Sequence, residues 1–271
     1  ILREELPDVA VTESHQIGRI GFLERENAAI MNASLAELAG RVVASFEKAL
    51  REMKISAPFF ISQNDGTLMQ PDFVARFPVL TFASGPTNSM RGAARLAGLA
   101  DAMVVDIGGT TSDVGMLMQG FPRESAVSVD IGGVRTNFRM PDVLAIGLGG
   151  GSLVRDDGAR IGPDSVGYQL TEKARVFGGD TLTTTDIIVA AGLEDIGDSA
   201  RVADVPASVV KTALARMETM VDEAVDRMKT SAEPLPVVLV GGGAILIRDR
   251  IPSASQLVRP ENASVANAME R

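Results

Sequence analysis

MVVDIGGTTSDVGMLM, residues 103 to 118, decides how this chain is read. Apolar at both ends and polar in the middle, it spells a buried strand, an acidic Gly-Gly-Thr-Thr turn and a second strand. Val104 and Val105 supply the β-branched run, Gly108 and Gly109 are expected to permit a tight backbone, and Thr110, Thr111 and Ser112 offer hydroxyl and amide donors to an anion. Asp106 and Asp113 flank the turn. Carboxylates beside a phosphate require a divalent cation between them, usually Mg²⁺, or a water for one of them to orient. The plain alternative is a hairpin that only reverses the chain. Two carboxylates, two glycines and three consecutive hydroxyls exceed what such a turn needs. No Gly-Lys-Ser/Thr follows, so the stretch is not a Walker loop, and it is not Gly-x-Gly-x-x-Gly.

The rest of the composition bounds the setting. A chain of 271 residues with 45% hydrophobic content buries a real core, in one large or two modest domains. No apolar run approaches the ~20 residues of a membrane span, and no secretory signal opens the chain, so a soluble, cytoplasmic protein is expected. Zero cysteines exclude disulfides, thiol catalysis and Cys-ligated metal within these residues. His15 is the only imidazole, and without a second histidine it reads as a surface or capping residue rather than a ligand. A net charge of −9, with no basic cluster and few aromatics, argues against nucleic acid as a partner. A phosphorylated ligand stays compatible, because loop amides and a metal carry local positive potential.

Outward from the hairpin, apolar residues at spacings of three and four predict a long amphipathic helix from Glu24, ended by Pro58. PFFISQ (58 to 63) reads as a short buried strand closed by the Asn64-Asp65-Gly66 turn. A short helix with small residues on one face follows Ser84-Gly85-Pro86. Between Phe121 and Val143 further antiparallel strands are expected. Asp130-Ile131-Gly132-Gly133 there imitates the main turn but lacks the hydroxyls, and reads as a plain turn. Ile146 to Ser152 is a glycine-rich loop whose entropic cost implies close approach to something, ligand or backbone. Thr183 to Asp186 introduces a helix, with Asp186 either its N-terminal acid or a cleft-facing carboxylate, the cap being the plainer reading. Pro206 to Ser231 reads as a second long helix whose methionines belong to the core. VVLVGGGAIL (237 to 246) reads as a buried strand, a glycine turn and a helix.

The hairpin resembles the phosphate loops of the acetate kinase, sugar kinase, Hsp70 and actin superfamily. Seven stretches narrow this: Glu13 to Leu35, the run from Asn64, Phe82 to Ala93, the DIGGTTSDV loop, Ile146 to Leu153, Ile161 to Gly167 and Thr183 to Ile187. Together and in this order they resemble the hydantoinase A and 5-oxoprolinase family, over nearly the whole chain. The resemblance implies an α/β fold: a ribonuclease-H-like (actin-like ATPase) lobe with a mixed sheet and flanking helices. It places that nucleotide-binding lobe at 101–271, with 1–100 a long-helix and short-strand segment bridging to a preceding lobe. The chain opens at Ile1 with no initiator methionine and no second Asp-x-Gly-Gly-Thr loop upstream, as expected of a central and C-terminal portion. YQLTEKARVF (168 to 177) departs from the family's Pro-Gly-Pro-Ala-Cys-Tyr-like stretch, and no function is carried onto it.

The resemblance further implies ATP and Mg²⁺ as cofactors. Asp106 and Asp113 would then be catalytic and hold the metal or a water, and Gly108, Gly109, Thr110 and Thr111 would hold phosphates. Gly149, Gly150, Gly151 and Ser152 would lie at the cleft, and Gly241, Gly242 and Gly243 would support the adenosine. The implied activity is ATP-dependent opening of a cyclic amide such as a hydantoin or 5-oxoproline, commonly with a second, B-type subunit or domain as partner. ATP is needed because lactam amides are poor electrophiles, and phosphorylation of the carbonyl oxygen makes a leaving group. Two other enzyme readings use similar loops, a small-molecule kinase and a ketone-activating carboxylase subunit. A third class is a nucleotide-binding interaction protein of the actin and Hsp70 kind. Turnover that depends on a cyclic amide separates the first reading from the kinase and interaction classes.

Overall fold

The computed structural model describes residues 2–5, 9, 11–125, 128–248 and 251–269. It divides into two compact units, residues 1–87 with 124–142, and residues 88–123 with 143–271. This corrects the boundary expected at residue 100, because the stretch 124–142 leaves the second unit and packs with the first. The reason is visible in its bonds. Phe138 bridges Gly18 and enters the first unit's core, Asn27 Nδ2 donates to the Arg135 carbonyl at 2.9 Å, and Arg19 pairs with Glu124 at 2.7 Å. Ala126 and Val127, within the stretch read as strands, lie outside the described residues.

In the first unit the long helix spans Leu23–Glu52. Pro58 does not end it. The Ile55 N–H donates to the Leu50 carbonyl and the Lys54 N–H to the Arg51 carbonyl, a Schellman closure with Lys54 in the left-handed region at φ 57°. Ala28 and Val43 on its inner face meet Val74, Phe77, Val79 and Leu80 in one apolar cluster. Ile61–Ser62 pairs antiparallel with Leu68–Met69 around the expected Asn64 to Gly66 turn, and the strand is half-buried rather than buried. Asp130 to Gly133 closes a hairpin between Val129–Ile131 and Val134–Thr136, with both glycines at positive φ and Asp130 accepting from the Gly133 N–H. It is the plain turn its residues predict, and it belongs to the unit without the main hairpin. His15 is exposed, 3.7 Å from Glu13.

The second unit is built on a sheet of six strands: β1 (Ala102–Ile107), β2 (Ser112–Met118), β3 (Phe121–Pro122), β4 (Val143–Ile146), β7 (Leu235–Val240) and β8 (Ala254–Val258). Strands β5 (Ser152–Arg155) and β6 (Arg160–Ser165) form a separate antiparallel pair. The sheet order is β8-β7-β1-β2-β3, with β4 also on β2. β2 runs antiparallel to β1, β3 and β4, whereas β7 is parallel to both β1 and β8. An antiparallel set extended by two parallel strands is the mixed α/β sheet of the ribonuclease-H-like lobe.

Alternation along the strands sorts the two faces. Met103, Val105 and Ile107 pack with Val237, Leu239 and the helix α3 (Ala207–Met228), where Met217 and Val221 are fully buried. The methionines of α3 are core, as their spacing predicts. Ala102 and Val104 pack on the other face with Val238, Val240 and two residues of α1 (Ser84–Ala97), Met90 and Ala93. The small residues of α1 serve close approach on two sides, Ala93 to the sheet and Gly92 to the 3-10 helix Ala263–Ala268. A Cβ on Gly92 would strike the Ala266 carbonyl. After Val240 the expected helix is instead a 3-10 turn, Gly242–Leu246. Two glycines at its start favour no α-helix, and the chain must return within seven residues of Ile247 to begin β8 at Ala254.

Candidate functional site

The sheet itself positions the two acids. Asp106 and Asp113 are direct cross-strand partners, so both side chains leave the same face of the β1–β2 ladder. That face is the one filled earlier along β1 by Ala102 and Val104; at Asp106 β1 turns polar there, with the buried Val240 as its neighbour on β7. Both acids are half-buried, and neither carboxylate meets a hydrogen-bond donor among the described residues. The Asp113 carboxyl is raised from 3.8 to about 6, first by burial and second by the charge of Asp106. Two carboxylates without protein donors, one destabilised by the other, make a place where a cation would be favoured.

The turn between them is held by the Gly108 N–H donating to the Thr111 carbonyl at 2.9 Å. Gly109, Thr110 and Thr111 are exposed, whereas Ser112 is fully buried and donates to the Leu148 carbonyl at 2.6 Å. Ser112 is thus a brace and not an anion donor. Neither Gly108 nor Gly109 has positive φ, so the turn does not use them for left-handed backbone, though a Cβ on Gly108 would stand 3.3 Å from the Thr111 carbonyl oxygen. A Cβ on Gly109 would meet nothing within 4 Å, so the glycine leaves the exposed side of the turn clear.

The glycine-rich loop lies directly behind this turn. The Gly150 N–H donates to the Gly108 carbonyl at 3.0 Å and the Gly151 N–H to the Gly109 carbonyl at 2.7 Å. A Cβ on Gly149 would sit 2.5 Å from the Thr110 nitrogen. The close approach is therefore backbone against backbone. Gly149, Gly150 and Gly151 are buried, and the buried Ser152 hydroxyl accepts from the Gly149 N–H at 2.8 Å. These four residues support the turn from behind, and Ser152 faces the loop's own backbone.

On the other flank, register pairs Val240 with Asp106, which brings Gly241 to Gly243 against the end of β1. A side chain on Gly241, at φ 85°, would collide with Asp106 Oδ1 and the Ile107 carbonyl. Gly242 is exposed with open space at its Cβ position. The two glycine turns thus sit side by side at the carboxyl ends of two parallel strands, where α/β sheets bind ligands.

Thr184 and Thr185 were not singled out by sequence reasoning. The helix α2 (Thr184–Ala190) opens with a capping box in which Asp186 accepts from the Thr183 N–H at 2.7 Å, and Asp186 also accepts from the Val176 N–H at 2.8 Å. Asp186 is a cap, as expected. The next hydroxyls reach the glycine loop: Thr184 Oγ1 donates to the Gly149 or Gly150 carbonyl, at 2.5 and 2.9 Å, and Thr185 Oγ1 to the Gly150 carbonyl at 2.8 Å. Their signal was the run of three threonines, two more than the cap uses.

Among the described residues no three His, Asp or Glu groups are arranged as a metal cage, and no helix is long and apolar enough to cross a membrane. Mg²⁺ takes one or two carboxylates and completes its shell with phosphate oxygens and water, which fits two acids beside an open, hydroxyl-bearing turn.

The chain is 28% identical over 199 residues to the caprolactamase subunit alpha of Pseudomonas jessenii and 28% identical over 205 residues to the acetophenone carboxylase gamma subunit of Aromatoleum aromaticum; each alignment covers 71% of this chain and 28% of the relative. It is also 28% identical over 177 residues to the acetone carboxylase beta subunit of Xanthobacter autotrophicus, covering 62% of this chain and 24% of that subunit. The chain thus spans about a quarter of the length of these relatives. The crystal structure of the ATP-dependent caprolactamase from Pseudomonas jessenii superposes with a TM-score of 0.80 at 22% identity, over 99% of this chain and 44% of that one. A nucleotide-free acetone carboxylase superposes with a TM-score of 0.72 at 20% identity, over 93% and 40%. These two likenesses establish a shared fold. The family profile described as hydantoinase/oxoprolinase matches residues 25–198, and the chain belongs to that family.

Proposed function

We propose that this chain carries the Mg²⁺-ATP-binding part of an enzyme that activates a carbonyl at the expense of ATP, opening a cyclic amide such as a hydantoin or 5-oxoproline. The observation that carries it is the facing pair Asp106 and Asp113 beside an exposed Gly-Thr-Thr turn. In this reading the carboxylates hold Mg²⁺ or orient a water, the exposed residues of Gly108 to Thr111 hold the phosphates, and Gly241 to Gly243 lie along the nucleoside. Gly149 to Ser152 act from behind, keeping the turn in shape. ATP supplies a phosphoryl group to the amide oxygen, which turns a poor electrophile into one that water attacks. The caprolactamase relative supports a lactam substrate by its name. A second reading, a ketone-activating carboxylase subunit, is supported by two carboxylase relatives at the same identity. All three relatives are named as subunits, which supports a partner subunit here. Use of ATP suits a cytoplasmic location.

The test is calorimetric titration of ATP with Mg²⁺ into the chain and into an Asp106→Ala variant. Binding that is lost in the variant supports the reading, and no binding to the wild-type chain sinks it. With the partner subunit added, ADP release dependent on a lactam favours the amidohydrolase. Release dependent on a ketone and bicarbonate favours the carboxylase.

A further inference from the structure

We propose that Thr184 is a positioning residue for the phosphate turn, acting through Gly149. The proposal rests on the nucleotide reading above. Thr184 is fully buried and lies far from Asp106 in sequence. Its hydroxyl has one proton and two candidate acceptors. The Gly150 carbonyl is already supplied by the Thr185 hydroxyl at 2.8 Å and the Thr185 N–H at 3.1 Å, whereas among the described residues the Gly149 carbonyl has only the Ser152 N–H at 3.0 Å besides Thr184. The shorter contact, 2.5 Å, is also to Gly149, so the proton belongs there.

Gly149 is where that bond reaches the turn. Its Cα lies hard against the Gly109–Thr110 peptide, with the Gly109 carbon and Thr110 nitrogen 2.6 and 2.5 Å from where a Cβ would stand. Orienting the Gly149 carbonyl therefore orients the neighbour of that peptide. The hydrogen bonds from the Gly150 and Gly151 amides to the Gly108 and Gly109 carbonyls complete the clamp. A phosphate bound by backbone N–H groups is sensitive to small rotations of those peptides, since hydrogen bonds weaken steeply with angle. Removing the Thr184 hydroxyl strips the Gly149 carbonyl of its side-chain donor and frees the Gly109–Thr110 peptide to turn. No residue that would touch the nucleotide is altered.

Two variants separate positioning from plain packing. Thr184→Val keeps shape and loses the hydroxyl; Thr184→Ser keeps the hydroxyl and loses the methyl. Two readouts are taken on each: affinity for Mg²⁺-ATP by calorimetry, well below the melting temperature, and amide hydrogen exchange at residues 108–111 in the nucleotide-free protein. The expected result is roughly tenfold weaker binding and faster exchange at the turn in Thr184→Val, with Thr184→Ser within about twofold of wild type. Equal behaviour of the two variants, or unchanged exchange at 108–111 in Thr184→Val, overturns the assignment while leaving the nucleotide reading intact. A wild-type chain that takes no Mg²⁺-ATP overturns both.

Discussion

Asp106 and Asp113 stand directly opposite each other across an antiparallel ladder, where two like charges raise each other's cost. Burial and the Asp106 charge together raise the Asp113 carboxyl from 3.8 to about 6. The folded protein therefore keeps a proton on Asp113 that the unfolded chain has lost, and stability falls as pH rises from 3.8 through about 6. Asp113→Asn removes that dependence. It is expected to melt above wild type at about pH 8 and to show no advantage below about pH 4, as thermal melts across the range will show. A variant less stable than wild type at the higher pH contradicts the strained pair.

Asp106→Asn tests the same pair from the other side. It is expected to lower Asp113's titration only in part, because burial is the larger cause and remains. Affinity for Mg²⁺-ATP is expected to fall by tenfold or more, about 1.4 kcal/mol, without loss of thermal stability. NMR titration of the Asp113 carboxyl and calorimetry read the two effects separately.

The glycines divide into two groups that substitution will separate. Gly109 and Gly242 have negative or extended φ and open space at the Cβ position, so Gly109→Ala and Gly242→Ala are expected to change stability by less than about 1 kcal/mol. If phosphate and nucleoside pass close to them, both variants lose nucleotide affinity while still folding. Gly149→Ala and Gly241→Ala push a methyl into the turn backbone and into Asp106 respectively. They are expected to cost roughly 1–3 kcal/mol or more in denaturant titrations.

Much of this was legible from local pattern. The hairpin and the imitation turn at Asp130 were readable because strand alternation and turn chemistry are local, and so were the α3 methionines at helical spacing. What the glycines of 149 to 151 touch was open between ligand and backbone, because the partner, the Gly109–Thr110 peptide, is some 40 residues away in sequence. The same limit hid the migration of 124–142 into the first unit, which depends on Phe138, Arg135 and Glu124 finding partners near residues 18 to 27. The end of the long helix was misplaced because a Schellman closure normally announces itself by glycine, and here Lys54 takes that position.

Asp186 joins these long-range links. Its buried carboxyl serves the Thr183 N–H and hydroxyl and the Val176 N–H, all between 2.7 and 2.8 Å. Asp186→Ala leaves both amides without their acceptor in the interior. The expected cost is on the order of 3 kcal/mol, above that of an ordinary exposed cap, because buried donors lose protein and water alike. Asp186→Asn keeps one oxygen and is expected to lose less. Because the same cap begins the helix that carries Thr184, the alanine variant is also expected to loosen the glycine loop. Hydrogen exchange in Asp186→Ala should therefore rise at residues 149–151 as well as around 176 and 183. Faster exchange confined to 176–183 would show that cap and loop are independent.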